Sequence, residues 1–256
     1  MFSKVFRWEF LSGKRFYLLL LIYFLLLFSS GKFTSSSYIV EERALNFSKN
    51  ETLTPGRMID VWWDASSLWW FLFPVVTAYA VFMFSYEFDK GILKAYLLSC
   101  VEKRTLFLAK LLSIMFGLLT SLGASMLIVY ALADPYLFAL NPLDVYINIP
   151  RRFIMYTLML YSMVGIATLS SIAFRKPLCA FVVPIAIIYT LNMIGLHGIS
   201  TYVPPQCYPD IRLLGSIGLV PMEYFLSKLS LALPTIIAST TAIITAYIFF
   251  VKRDIT

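Results

Sequence analysis

The sequence predicts an all-α membrane protein, because 60% of its residues are hydrophobic, only 14% are charged, and its apolar residues gather into long runs parted by short polar segments. An ordinary soluble domain carries about 25% charged residues, and the mean hydropathy of +0.80 is far from that class. A spanning helix needs ~20 mostly apolar residues. Six runs qualify as membrane helices, at residues 16–30, 68–86, 106–132, 153–174, 178–196 and 229–251, which makes one bundle and a single transmembrane domain over 1–256. None shows the alternating, turn-punctuated ~10-residue segments of a membrane β-barrel.

Residues 1–14 place Phe2, Val5, Phe6 and Phe10 on one helical face and Ser3, Lys4, Arg7 and Lys14 largely on another. That pattern predicts an amphipathic helix lying in the membrane interface. The run at 16–30 is short and follows Lys14-Arg15, as a cleavable leader would. It is read as the first membrane helix, whose flanking cations snorkel to lengthen it. Residues 32–65 form an outer loop, polar at first and then aromatic, with Trp62, Trp63, Trp69 and Trp70 flanking Asp64 as an interfacial belt. Asn46-Phe47-Ser48 and Asn50-Glu51-Thr52 are two sequons in this loop, so Asn46 and Asn50 are candidates for N-glycosylation.

Between the second and third runs lies a charged elbow, 87–105, that carries Lys90, Lys94, Lys103 and Arg104, with Lys110 just beyond it. Ile92, Leu93, Tyr96 and Leu97 fall on one side of a short helix and Lys90 and Lys94 on an adjoining one, so 87–98 reads as an amphipathic connector with a surface to offer. Ser99-Cys100-Val101-Glu102 has the form of a capping box. The third helix is therefore expected to start there and to stand proud of the bilayer through Lys103, Arg104 and Lys110. Pro74, Pro184 and Pro234 fall inside membrane helices as kink points, while Gly117, Gly123 and Gly165 offer close-packing positions. The outer segment 198–228 is broken by Val203-Pro204-Pro205 and contains an apolar stretch too short to span.

Cationic residues are retained on the cytoplasmic side of short loops. With the N-terminus inside, Lys4, Arg7, Lys14, Arg15, Lys90, Lys94, Lys103, Arg104, Lys110, Arg175, Lys176, Lys252 and Arg253 share that side, a majority of the 21 lysines and arginines. Both termini are then cytoplasmic. The net charge of +7 reflects a basic inner face against anionic headgroups and not a nucleic-acid site. Cys100, Cys179 and Cys207 fall inside, within a helix and outside, so neither a disulfide framework nor a metal site is expected.

The interiors 111–133, 153–174, 177–196 and 229–251 contain no Asp, Glu, Lys or Arg, which disfavours an ion-coupled carrier. The chain lacks a Gly-x-x-x-x-Gly-Lys-[Ser/Thr] phosphate loop, and its one histidine, His197, adjoins Ser200 in poor geometry for a nucleophile and base. No enzyme activity of its own is expected.

Glu87, Gly91, Leu93, Leu97-Leu98-Ser99, Val101, Arg104 and Ala109-Lys110-Leu111-Leu112 together resemble the signature of ABC-2 type exporter permeases, in which an acidic residue, Gly-Thr, Leu-Leu-Ser-x-Pro-Val, Arg and Gly-Lys-Leu follow in order. The chain departs from it at Ile92, Cys100 and Ala109. The resemblance implies a homodimer or heterodimer of permeases, with ATP and Mg bound on separate ATP-binding cassette ATPase subunits. It implies that Glu87, Lys90, Gly91, Ile92, Leu93, Lys94, Tyr96 and Leu97 form the coupling helix that meets them. It also implies a plasma-membrane exporter of archaeal or bacterial origin, the sequons suiting an archaeal cell surface. The other readings are a non-transporting membrane scaffold or accessory subunit and, behind it, a secondary carrier.

Overall fold

The computed structural model describes residues 2–11, 17, 18, 21, 22, 25, 65–98, 101–132, 142–174, 176–194 and 222–252, and all regular structure among them is helical. The elements are α1 (Phe2–Leu11), α2 (Ala65–Val81), a π turn (Phe82–Tyr86), α3 (Glu87–Asp89), α4 (Ile92–Leu98), α5 (Lys103–Leu132), α6 (Pro142–Ala173), α7 (Pro177–Ile194) and α8 (Met222–Lys252). Lys103–Ala124, Tyr156–Ala173 and Leu233–Lys252 are long and apolar enough to cross a membrane, and Pro177–Thr190 is a shorter apolar helix.

α6 is the central helix, packed by α2, α5, α7 and α8. Its inward residues Tyr156, Met159, Leu160, Met163, Val164 and Ala167 follow the three-and-four spacing of a buried helical face. Small residues bring α6 and α8 together. A Cβ built on Gly165 would lie 2.9 Å from both the Cβ and the carbonyl oxygen of Ser239 and 3.0 Å from its Cα, so the helices touch backbone to backbone there. Tyr161 and Thr240 share a hydroxyl–hydroxyl hydrogen bond of 3.0 Å across the same seam. Several buried hydroxyls donate to the carbonyl one turn earlier: Thr77 to Phe73, Ser171 to Ala167 and Ser239 to Thr235.

Pro74, Pro184 and Pro234 all lie within helices, as expected, and Pro150 lies within α6 as a fourth. α6 begins at Pro142 and α8 at Met222, ahead of the spans expected from 153 and 229, because apolarity marks the part of a helix fit for lipid whereas the hydrogen-bonded ladder runs on into polar sequence. Residues 222–228 of the expected outer segment are thus the start of α8, and 198–221 lie outside the described residues. So do the loop 32–64, with Asn46, Asn50, Trp62 and Trp63, and most of the expected first span, of which Tyr17, Leu18, Leu21, Ile22 and Leu25 are helical and exposed.

Ser85 Oγ donates to the Phe174 carbonyl at 3.2 Å and Lys103 Nζ to the Val251 carbonyl at 3.4 Å. These bonds draw the ends of α2, α6 and α8 and the start of α5 to one end of the bundle. Lys90, Lys94, Arg104, Lys176 and Lys252 are all exposed near those termini. Cations that the sequence assigns to one side therefore share one end.

Candidate functional site at the elbow

α2 does not stop where its apolar run stops. It widens into the π turn Phe82–Tyr86 and closes with α3, so that Glu87 sits at the elbow's inner edge. π turns inside helices recur at functional positions. The chain then reverses at Gly91, whose φ of +69° is left-handed backbone that a side chain resists. Its N–H donates to the Phe88 carbonyl and its own carbonyl accepts from Lys94, so this glycine ends one helix and begins the next. A single amphipathic helix over 87–98 is therefore corrected to two helices hinged at Lys90-Gly91.

An added Cβ at Gly91 would meet nothing within 4 Å, so Gly91→Ala is expected to cost only the left-handed backbone penalty, about 1–2 kcal/mol. Gly91→Asn should cost less. Thermal unfolding of the two variants measures the difference, and equal losses would show that something other than φ selects glycine.

α4 folds its apolar face inward. Leu93 is wholly buried in the core and Ile92, Tyr96 and Leu97 are half-buried, while Lys94, Ala95 and Leu98 are exposed, Leu98 at 76%. The expected apolar docking face is thus largely consumed by the protein's own packing. What the elbow presents outward is Asp89, Lys90, Gly91, Lys94 and Leu98. Lys90 also lies 5.9 Å from the centroid of the Tyr86 ring.

The inner face is locked by charge. Lys110 is fully buried and its Nζ donates to Glu87 Oε2 at 2.7 Å, the carboxylate side chain keeping 16% exposure. The same ammonium stands 5.4 Å from the Tyr96 ring centroid, within cation–π reach. One cation therefore ties α3, the connector α4 and the first turns of α5. Lys110 is buried within the bundle, and Glu87 points its charge toward it.

Phe84, Phe88, Phe107, Tyr247 and Phe250 interlock with ring centroids 5.4–6.0 Å apart, joining the π turn, α3, α5 and α8. Such pairs contribute roughly 0.5–1.5 kcal/mol each beyond their burial. Sequence reasoning missed this cluster, since it joins three segments, 84–88, 107 and 247–250, that are far apart in the chain.

The expected capping box is also corrected. α5 begins at Lys103, with the Glu102 carbonyl accepting from Leu106 N–H at 3.0 Å, so Glu102 stands just outside the helix instead of inside its first turn. Ser99 and Cys100 lie outside the described residues. Among the described residues no three His, Cys, Asp or Glu side chains gather to hold a metal, and the Cys179 thiol is free and exposed. Cys207 and His197 lie outside them.

No protein-family model matches the chain, and no curated protein matches it.

Proposed function

We propose that this chain is the membrane-spanning subunit of an ATP-driven exporter of the ABC-2 type, with six spans, both termini cytoplasmic and two copies forming the translocation path. Separate ATP-binding cassette subunits hold ATP and Mg and dock on the elbow. The observation that carries this reading is the two-faced connector: α4 is pinned inward by Leu93, Tyr96 and the Glu87–Lys110 pair, and bare outward at Lys90, Lys94 and Leu98. A lever must be rigid toward the helices it moves and open toward the subunit that pushes it. A solvated loop needs neither property. Interiors without ionisable groups at 111–133 and 229–251 fit a transporter whose energy arrives through a partner.

The test uses the outward residues, because Leu93 belongs to the core. Lys94→Glu combined with Leu98→Asp should abolish co-purification of an ATPase subunit while leaving thermal unfolding within a few degrees of the wild type, since exposed substitutions usually change stability by less than about 0.5 kcal/mol. An unchanged complex would sink the docking assignment. Transport that ran on an ion gradient without ATP would overturn the exporter reading altogether.

A further inference from the structure

We propose that the outer edge of the seam between α6 and α8 binds an uncharged lipophilic molecule that carries an O–H or N–H donor. A carbonyl can only accept, so Thr240 gives its one hydroxyl hydrogen to the Ile236 carbonyl at 2.8 Å, and Thr241 gives its own to the Ala238 carbonyl at 2.8 Å. The 3.0 Å contact between the Tyr161 and Thr240 hydroxyls then needs Tyr161 as its donor. All three hydrogens are spent in these bonds, while each oxygen keeps acceptor capacity. Thr241 is exposed and Tyr161 and Thr240 are half-buried, so the three oxygens lie at the surface of the bundle. Ile237 and Ile244, 61% and 52% exposed, stand three or four residues from both threonines and are surface neighbours of each. Apolar side chains thus flank a patch that accepts hydrogen bonds and offers none.

The patch lies well inside the apolar span Leu233–Lys252, with Thr240 about 10 Å along the helix from Leu233 and about 18 Å from Lys252 at 1.5 Å per residue. Headgroups at the edges of a ~30 Å hydrocarbon core do not reach that depth, and acyl chains carry no donor. A second copy presenting the same patch would set acceptors against acceptors. An anion would do the same, and 153–174 and 229–251 contain no Lys or Arg to offset it. What remains is a molecule with an apolar body for the two isoleucines and a neutral donor for the oxygens. From Ile237 to Ile244 the helix rises about 10 Å, room for a ring and a short chain.

The experiment measures saturable binding of radiolabelled 4-octylphenol, and of its methyl ether, which keeps the ring and chain but has no donor. The full chain is held in phosphatidylcholine nanodiscs, and empty nanodiscs give the background. The wild type should bind the phenol roughly 3–10-fold more tightly than the ether, the range for a hydrogen bond made within a membrane. Tyr161→Phe/Thr240→Val/Thr241→Val should erase that preference by weakening the phenol alone. Thr240→Val by itself frees the Tyr161 hydroxyl to donate outward, so it should tighten the ether; this single, shape-conserving change keeps the test decisive if the triple variant folds poorly. Thr120→Val, which removes an exposed hydroxyl bonded in the same way to the Gly117 carbonyl on α5, should move neither probe. Equal binding of the two probes by the wild type, a preference that survives the triple variant, an ether curve unmoved by Thr240→Val, or an equal loss in Thr120→Val would each overturn the proposal. No ATPase subunit takes part, so any of these results leaves the docking assignment at the elbow untouched.

Discussion

Glu87→Ala is expected to lower stability by about 3 kcal/mol or more, because it strands a fully buried ammonium without its counter-charge, and breaking a buried pair from one side typically costs about 3–5 kcal/mol. In a chain of this size that is a fall of roughly 6–12 °C in unfolding temperature. Lys110→Met should cost less, since the Glu87 side chain retains 16% exposure and can turn its carboxylate toward water. The informative variant is the double one. Glu87→Leu with Lys110→Met replaces the pair by apolar groups of similar volume, and such exchanges are often neutral or stabilising. It should unfold within a few degrees of the wild type. With Glu87→Leu and Lys110→Met as its single variants, the cycle then gives a large favourable coupling energy; simple additivity of those two losses would show that the 2.7 Å contact does not carry the connector. The stable double variant also separates stability from transmission: if the proposed docking holds, a chain that folds normally but no longer stimulates an ATPase subunit would identify the pair as the link between α3 and α5.

Gly165→Ala is expected to destabilise by about 1–3 kcal/mol, the range for forcing a methyl group into a packed core. In an open helix the same change would gain about 1 kcal/mol, so the sign itself is diagnostic. The obstacle is largely backbone: the new methyl would lie 2.9 Å from the Ser239 carbonyl oxygen and 3.0 Å from its Cα. Neither atom can swing aside as a side chain would. Ser239→Gly removes only the Cβ contact and should therefore not rescue the variant. Gly123→Ala serves as the comparison, since its methyl would meet nothing nearer than the Phe153 ring at 3.8 Å, and it should be neutral or mildly stabilising. Thermal unfolding of the set decides the matter; a Gly165→Ala protein as stable as Gly123→Ala would mean that α6 and α8 separate easily.

Much of the helical framework was legible in the linear sequence. Apolar runs at 106–132 and 229–251 lie within α5 and α8, that at 153–174 ends one residue beyond α6, and Pro74, Pro184 and Pro234 fall inside helices as anticipated. Helix ends were less legible, because the segments 142–152 and 222–228 are too polar to register in a hydropathy pattern while still satisfying their backbone bonds. At the elbow the composition marked an amphipathic connector but not which way its apolar face turns. Ile92, Leu93, Tyr96 and Leu97 form an apolar stripe whether a partner or the protein itself covers it, and no spacing within 87–98 distinguishes the two.

The sequence by itself determined the helical class, the apolar lengths and the gathering of cations, because backbone satisfaction in lipid and the cost of moving charge across it act on each segment separately. Only the tertiary structure decided that Lys110 turns inward to Glu87 and Tyr96, that Leu93 is core, and that Gly165 rests on the backbone of Ser239. Those outcomes depend on which helices meet and at what height. A buried lysine and a solvated one have the same local sequence; what separates them is whether a carboxylate from 23 residues earlier arrives within hydrogen-bonding distance.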